Sequence, residues 1–256
     1  MNRFVRPRAV AQPSLRLIAF HHAGGSAAMY HPMSARLPAD WELLVLDLPG
    51  RGKRHAEPPL TSMQAAIERA AEDVRPWLDA PVALFGHSLG GILAAEVGRA
   101  CARIGLPPVW VGISGRIAPC FQADAPRLSA MDDAALLAAL IALGGTPAQI
   151  RDMPELRDRL MRLVRADIAL LESYAPAPDR ASLGCPLTTF AGRDDVWAPP
   201  AAMLPWAHET GGHCHQRVYP GGHFYFLGPA FAALTGDIVR DIAPHLEAAA
   251  PLASAS

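Results

Sequence analysis

The sequence has no apolar run approaching the roughly 20 residues that a helix needs to cross a bilayer. Its longest, such as Ala134 to Leu143, stop well short, so no membrane span is expected. Surplus charge is also missing: 23 basic residues stand against 24 acidic ones, for a formal charge of −1. Nucleic acid and anionic membranes are bound by clustered positive charge, which this balance does not supply. Cysteine is sparse. Cys101, Cys120, Cys185 and Cys214 lie far apart with no C-x-x-C pair, which argues against a disulfide framework or a zinc cage and for reduced thiols. Met1 to Arg8 is basic, yet proline and polar residues stand where the apolar core of a signal peptide would follow, and a cytoplasmic location is expected.

What the chain does have is apolar material: 51% of its 256 residues are hydrophobic, enough for a large core, and one domain is expected over 1–256. Its 25 prolines and 21 glycines imply many short, sharp connections. Apolar runs suited to buried strands recur at Leu15 to Phe20, Leu43 to Leu46, Val82 to Phe85, Val109 to Ile113 and Leu187 to Phe190, with a last strand around Gln216 to Tyr219. Helical patterns at Met63 to Leu78 and Gly91 to Ile104 alternate with them, and another runs from about Pro229 to Leu246. This alternation predicts an α/β fold with a mostly parallel sheet flanked by helices. Between Ser114 and Leu187 only helix-like patterns occur, around Asp132 to Leu143 and Glu155 to Leu171. The stretch at approximately 117–182 is too long and apolar for a loop and is read as a helical cap over one end of the sheet. Thr146 is placed to cap its second helix, with Pro147 at the first position, and 251–256 is expected to fray.

The chemistry-bearing motif is Gly86-His87-Ser88-Leu89-Gly90, which reads G-x-S-x-G between a strand and a helix. In that context the serine occupies a tight turn that projects its hydroxyl above the sheet, at a helix N-terminus that favours developing negative charge, as in α/β-hydrolases. A serine hydroxyl needs a base held in the right tautomer. Of ten histidines, His223 in Pro220-Gly221-Gly222-His223-Phe224 follows the last strand in a glycine turn and is the candidate base. His208, His213, His215 and His245 lie in polar or helical surroundings and are read as structural. The acid is sought in Gly192-Arg193-Asp194-Asp195, where G-x-x-D turn chemistry selects Asp195 over Asp194. Oxyanion donors are expected from the backbone N–H of Leu89 and of Ala23, in the loop His21-His22-Ala23-Gly24-Gly25-Ser26. His213-Cys214-His215 is set aside as a metal site, since alternating residues of an extended segment face apart and no further ligand is suitably spaced.

Together these segments resemble the type II thioesterases that accompany non-ribosomal peptide and polyketide synthetases. The resemblance covers nearly the whole chain and rests on Phe20 to Ala27, Leu48-Pro49-Gly50-Arg51-Gly52-Lys53-Arg54, Gly86 to Gly91, Leu143 to Pro147, Arg165-Ala166-Asp167 through Leu171-Glu172-Ser173-Tyr174, and Pro220 to Phe224. Two positions depart from the family pattern: His21, where the family often has proline, and Leu89, where methionine is common. The resemblance implies an α/β-hydrolase fold and hydrolysis of acyl groups from the phosphopantetheine arm of carrier-protein domains through an acyl-Ser88 intermediate, with no cofactor and no metal. Arg51 and Arg54 are read as solvated, with contact to phosphate or to acidic carrier residues as the functional alternative. A stand-alone acyl-CoA thioesterase or carboxylesterase, a discrete acyltransferase or cyclase, and a non-catalytic hydrolase-like binding protein are the competing readings. A monomer is expected, because no apolar heptad or exposed edge strand is evident.

Overall fold

The computed structural model describes residues 3–124, 127–177 and 179–249, and the stretch 251–256 expected to fray lies outside the described residues. Among the described residues seven strands form one sheet: β1 (Phe4–Val5), β2 (Leu15–Phe20), β3 (Trp41–Leu46), β4 (Val82–His87), β5 (Trp110–Ser114), β6 (Leu187–Gly192) and β7 (Cys214–Tyr219). Their order is β1-β3-β2-β4-β5-β6-β7. Only β1 runs antiparallel, against β3, and every other pairing is parallel.

The sheet is covered on both faces, which is why its central strands read as largely apolar runs instead of alternating ones. On β2, Ile18 and Phe20 point into a core shared with helices α1 (Met63–Val74) and α2 (Leu89–Arg103). Leu15, Leu17 and Ala19 point the other way, into a core closed by α6 (Ala230–Ala249) with Phe85 and Trp110. Burial of the pair Arg16 and Glu42, register partners on β2 and β3, is sustained by mutual contact at 3.1 Å and by an Arg16 bond to the Trp77 carbonyl at 2.9 Å. β1 gave no sequence signal. It is two residues long, and its flanking Arg3 and Arg6 pair with the buried Asp73 and Glu42.

A single turn, α5 (Pro200–Met203), follows β6, and between β5 and β6 the chain makes short 3₁₀ turns and the helices α3 (Asp133–Ala142) and α4 (Pro154–Glu172). These build a small core of their own from Leu136, Leu137, Ile150, Met161, Val164 and Ile168. Asp132 caps α3, its carboxylate accepting from the Ala135 N–H at 2.8 Å. The expected cap at Thr146 does not form. A 3₁₀ turn, Ala148–Asp152, follows Pro147, and α4 opens only at Pro154. Either proline suits a first helical position, but only a start at Pro154 leads directly into the turns whose apolar face, Met161, Val164 and Ile168, is buried.

The expectation of no exposed edge strand is also corrected. β7 ends the sheet, its residues are partly exposed, and Val218 retains 44% of its surface. The edge is blunted by polar side chains: His215, Gln216 and Arg217 line it, with Arg217 held by Asp241 of α6 at 2.9 Å. Among the described residues no helix is long and apolar enough to cross a membrane.

Candidate active site

At the end of β4 the backbone turns through Ser88 with φ 55° and ψ −114°, the one non-glycine residue of positive φ among the described residues. Such a conformation carries strain of about 1–3 kcal/mol and persists only where the surroundings impose it. Here the Ser88 N–H donates to the Ser114 carbonyl at 2.8 Å, and the Ser88 carbonyl accepts from the Gly91 N–H at 2.9 Å. Glycine on both sides is a steric requirement: a Cβ on Gly86 would lie 1.9 Å from the Gly90 carbonyl oxygen, and one on Gly90 would lie 2.0 Å from that of Phe20. The turn leaves Ser88 partly exposed, although Val82 to His87 and Leu89 are buried.

The turns after β6 and β7 meet beside it. Gly192 permits this, since a Cβ there would sit 2.1 Å from the Gly222 carbonyl oxygen. His223, 4% exposed, places Nδ1 2.7 Å from Asp195 Oδ2. The other carboxylate oxygen of Asp195 accepts from the N–H groups of Trp197 at 2.8 Å and Ala198 at 3.0 Å. Burial by itself would raise the Asp195 carboxyl, but the His223 hydrogen bond and charge, aided by those two amides, hold it below the ordinary carboxylate range. Asp194 is exposed; its backbone N–H donates to the Gly221 carbonyl at 2.9 Å and so ties the two turns together.

Among the described residues no hydrogen bond joins Ser88 to His223. Both line the same cavity, of about 90 Å³, and contacts of this kind commonly tighten only with substrate bound. Ala23 lines it too, as do Leu140, Val164 and Ile168 of the helical insertion. Leu89 opens α2, so its N–H lies among those with no intrahelical acceptor. Ala23 follows β2 in a turn closed by the Gly25 N–H on the His22 carbonyl at 3.0 Å.

Under the site lies a set of buried imidazoles. The His87 ring is 4.7 Å from that of His223 and bonds through Nδ1 to Ser114 Oγ at 2.8 Å, which in turn meets Tyr225 Oη at 2.7 Å. Burial, then the nearby His223 and His22, holds His87 well below the usual imidazole range, so it is neutral. Gly115 makes room for both rings: a Cβ there would lie 2.5 Å from His87 Cε1 and 3.2 Å from His223 Cε1. Burial also pushes the Cys101 and Cys185 thiols up to about 11 and about 12, which removes them as nucleophiles at neutral pH. Among the described residues no group of three or more His, Cys, Asp or Glu side chains could hold a metal ion.

The profile of the thioesterase domain family matches residues 15–242. The chain belongs to the thioesterase family. It is 35% identical to the "Probable cadicidin biosynthesis thioesterase" of Streptomyces griseus, over 94% of this chain and 65% of that relative. It is 31% identical to the gramicidin S biosynthesis protein GrsT of Aneurinibacillus migulanus, over 87% of each. Among solved structures, the type II thioesterase BorB from the borrelidin biosynthetic cluster superposes with a TM-score of 0.84 at 32% identity, covering 96% of this chain and 98% of that one. The thioesterase is thus a hydrolase of α/β-hydrolase fold acting on thioesters, similar to type II enzymes of synthetase clusters.

Two arginines of this thioesterase lie where the sequence reading did not put them. Arg51 and Arg54 are not solvated; each is 3% exposed. Arg51 grips Asp167 of α4 with two parallel bonds, at 2.5 and 2.7 Å, and Asp167 also accepts from the Gly24 N–H at 2.7 Å. Arg54 bonds Asp73 at 3.0 Å, the Asp47 carbonyl at 3.2 Å and Glu57 at 2.7 Å. One signal was available: Asp167 lies between Val164 and Ile168 on the apolar face of α4, where a charge persists only with a partner. Nothing local identified that partner, 116 residues away in sequence.

Proposed function

We propose that this thioesterase clears acyl groups from the phosphopantetheine arm of carrier-protein domains, with Ser88 as nucleophile, His223 as general base and Asp195 as its orienting acid. Asp195 accepts a hydrogen bond from the Nδ1–H of His223 and stabilises the imidazolium, which leaves Nε2 free to take the proton from Ser88 as its oxygen attacks the thioester carbonyl. The oxyanion of the tetrahedral intermediate is met by the N–H groups of Ala23 and Leu89. Collapse expels the pantetheine thiol with the proton from His223 and leaves an acyl-Ser88 ester. Water, deprotonated by His223, attacks that ester, and as the second tetrahedral intermediate collapses His223 returns the proton to the Ser88 oxygen and the acid is released.

One observation carries this reading: His223, already bonded to Asp195, lines the same apolar cavity as a serine held in a strained turn at a helix N-terminus. The relatives' biosynthetic roles support a carrier-bound substrate, and we place the enzyme in the cytoplasm as a monomer. The test compares hydrolysis of acyl-carrier protein, acyl-CoA and a simple ester of the same acid. Preference for the carrier form in kcat/KM is expected, and equal efficiency on all three would remove the carrier assignment. Ser88→Ala should fold and lose turnover; a folded Ser88→Ala enzyme that still turns over would end the mechanism.

A further inference from the structure

The proposed oxyanion donor, the Ala23 N–H, sits on a loop that glycines make pliable, and a donor contributes to catalysis only when it is aimed before the charge develops. A peptide unit is planar and trans, so the direction of the His22 carbonyl dictates the opposite direction of the Ala23 N–H. That carbonyl is held twice: by the Gly25 N–H at 3.0 Å and by His21 Nδ1 at 2.8 Å.

The protonation of His21 follows from its partners. The Leu48 N–H can only donate, and it reaches His21 Nε2 at 3.2 Å, so Nε2 is the bare nitrogen and Nδ1 carries the hydrogen. At 1% exposure the ring is kept neutral, burial and then Arg51 holding it well below the ordinary imidazole range. The next peptide plane is fixed at both ends as well. The Ala23 carbonyl accepts from His22 Nδ1 at 2.8 Å, and the Gly24 N–H donates to Asp167 at 2.7 Å. The backbone of Phe20 and His21 meanwhile presses on Gly90, where a Cβ would lie 2.0 Å from the Phe20 oxygen and 2.9 Å from that of His21. The loop is therefore seated directly on the first turn of α2, which carries the other donor, Leu89.

We propose that His21 is a positioning residue, which aims the Ala23 N–H at the developing oxyanion by donating from Nδ1 to the His22 carbonyl while Leu48 fixes its tautomer. The inference rests on the reading of Ser88 and Ala23 given above. Both His21 nitrogens are engaged within the protein, by the His22 carbonyl and the Leu48 N–H, so the contribution is one of alignment.

Two polar variants separate the nitrogens. His21→Asn keeps an amide donor near the Nδ1 site, whereas His21→Gln places its amide near Nε2 and abandons the His22 carbonyl. Loss of one oxyanion donor costs about 10²–10³ in kcat, and misalignment is expected to cost His21→Gln about 10–100-fold with KM within about threefold. His21→Asn should retain kcat within about fivefold. The specific readout is inhibition by a trifluoromethyl ketone analogue of the acyl thioester, whose adduct with Ser88 presents an oxyanion: its Ki should rise in His21→Gln in step with the loss of kcat. A structural defect alone would lower the fraction of active sites and leave Ki unchanged, and that result overturns the proposal. So does equal activity of the two variants, or the reverse ranking. Should His21→Gln not fold, His21→Asn still decides, since a loss beyond about 100-fold there would exclude the Nδ1 donor as sufficient. Ser88→Ala assayed alongside separates the two levels: residual turnover in it overturns the mechanism, whereas an inactive Ser88→Ala with an unimpaired His21→Gln overturns only the role of His21.

Discussion

Asp167→Ala should unfold this protein many degrees below the native chain. The variant leaves the Arg51 guanidinium, 3% exposed, with no counter-charge. Its remaining acceptors are the Gly25 and Pro49 carbonyls at 3.3 and 3.5 Å, the edge of useful hydrogen bonding, and its Nε already lacks a partner. The Gly24 N–H loses its acceptor as well. Removing one member of a buried pair costs about 3–5 kcal/mol, and an orphaned amide adds about 1–3 kcal/mol. The two overlap, because both follow from one vacated carboxylate, so about 3–5 kcal/mol is the working figure. For a chain of this size each kcal/mol moves Tm by about 2–4 °C, giving a fall of roughly 6–20 °C. Circular dichroism melts at neutral pH read it directly. The double variant Arg51→Met/Asp167→Leu replaces both charges by apolar side chains and should recover part of the loss, leaving mainly the amide deficit. A Tm for Asp167→Ala within about 2 °C of native, or a double variant less stable than Asp167→Ala, would refute the reasoning.

Replacing the two neighbouring carboxylates should give opposite results. Asp195→Asn disturbs the tautomer of His223 and is expected to cost about 10³–10⁴ in kcat, whereas exposed Asp194→Asn should stay within about threefold; single-turnover kinetics on one acyl thioester rank them, and similar losses would contradict the geometry. Stability should decline as pH falls from about 7.5 to 5. His21, His22 and His87 are held below the ordinary imidazole value chiefly by burial, His22 down to about 4. The unfolded chain takes up protons near pH 6.5 that the folded chain still refuses, so this stability is whole above that pH and lost below it, by up to ~1.4 kcal/mol per pH unit for each ring. Asp195, lowered in the fold, stays ionised across this window and adds no slope. Urea midpoints at three pH values measure the trend, and a flat profile would count against neutral, buried imidazoles.

The central strands were legible because burial on both faces makes them largely apolar runs, with their ends blurred by one or two residues. Gly86 and His87 look like turn residues yet continue β4, and Ala191 and Gly192 likewise extend β6, because the parallel ladder carries on to the point where the loops turn over the site. The tight turn at Ser88 was legible for a related reason: only glycine fits at positions 86 and 90, so the constraint is written in the sequence. The spacing of the turn favoured Asp195 over Asp194, and Asp195 is the one whose carboxylate bonds His223. Neither the burial of Arg51 and Arg54 nor the anchoring of Gly24 could be read, since those contacts join segments far apart along the chain. Two residues bracketed by arginine and proline carry no period, so β1 was invisible, and the openness of β7 depends on its place in the sheet, which local pattern does not encode.

The small core shared by α3 and α4 separates two duties within one molecule. Leu140, Val164 and Ile168 form part of the chamber's wall, yet the sheet's own two cores are assembled without them. Remodelling at Leu140, the least buried of the three, can thus alter which acyl group is admitted without disturbing the strands that present Ser88, Asp195 and His223. A lineage could change its clientele through such substitutions while inheriting its chemistry intact.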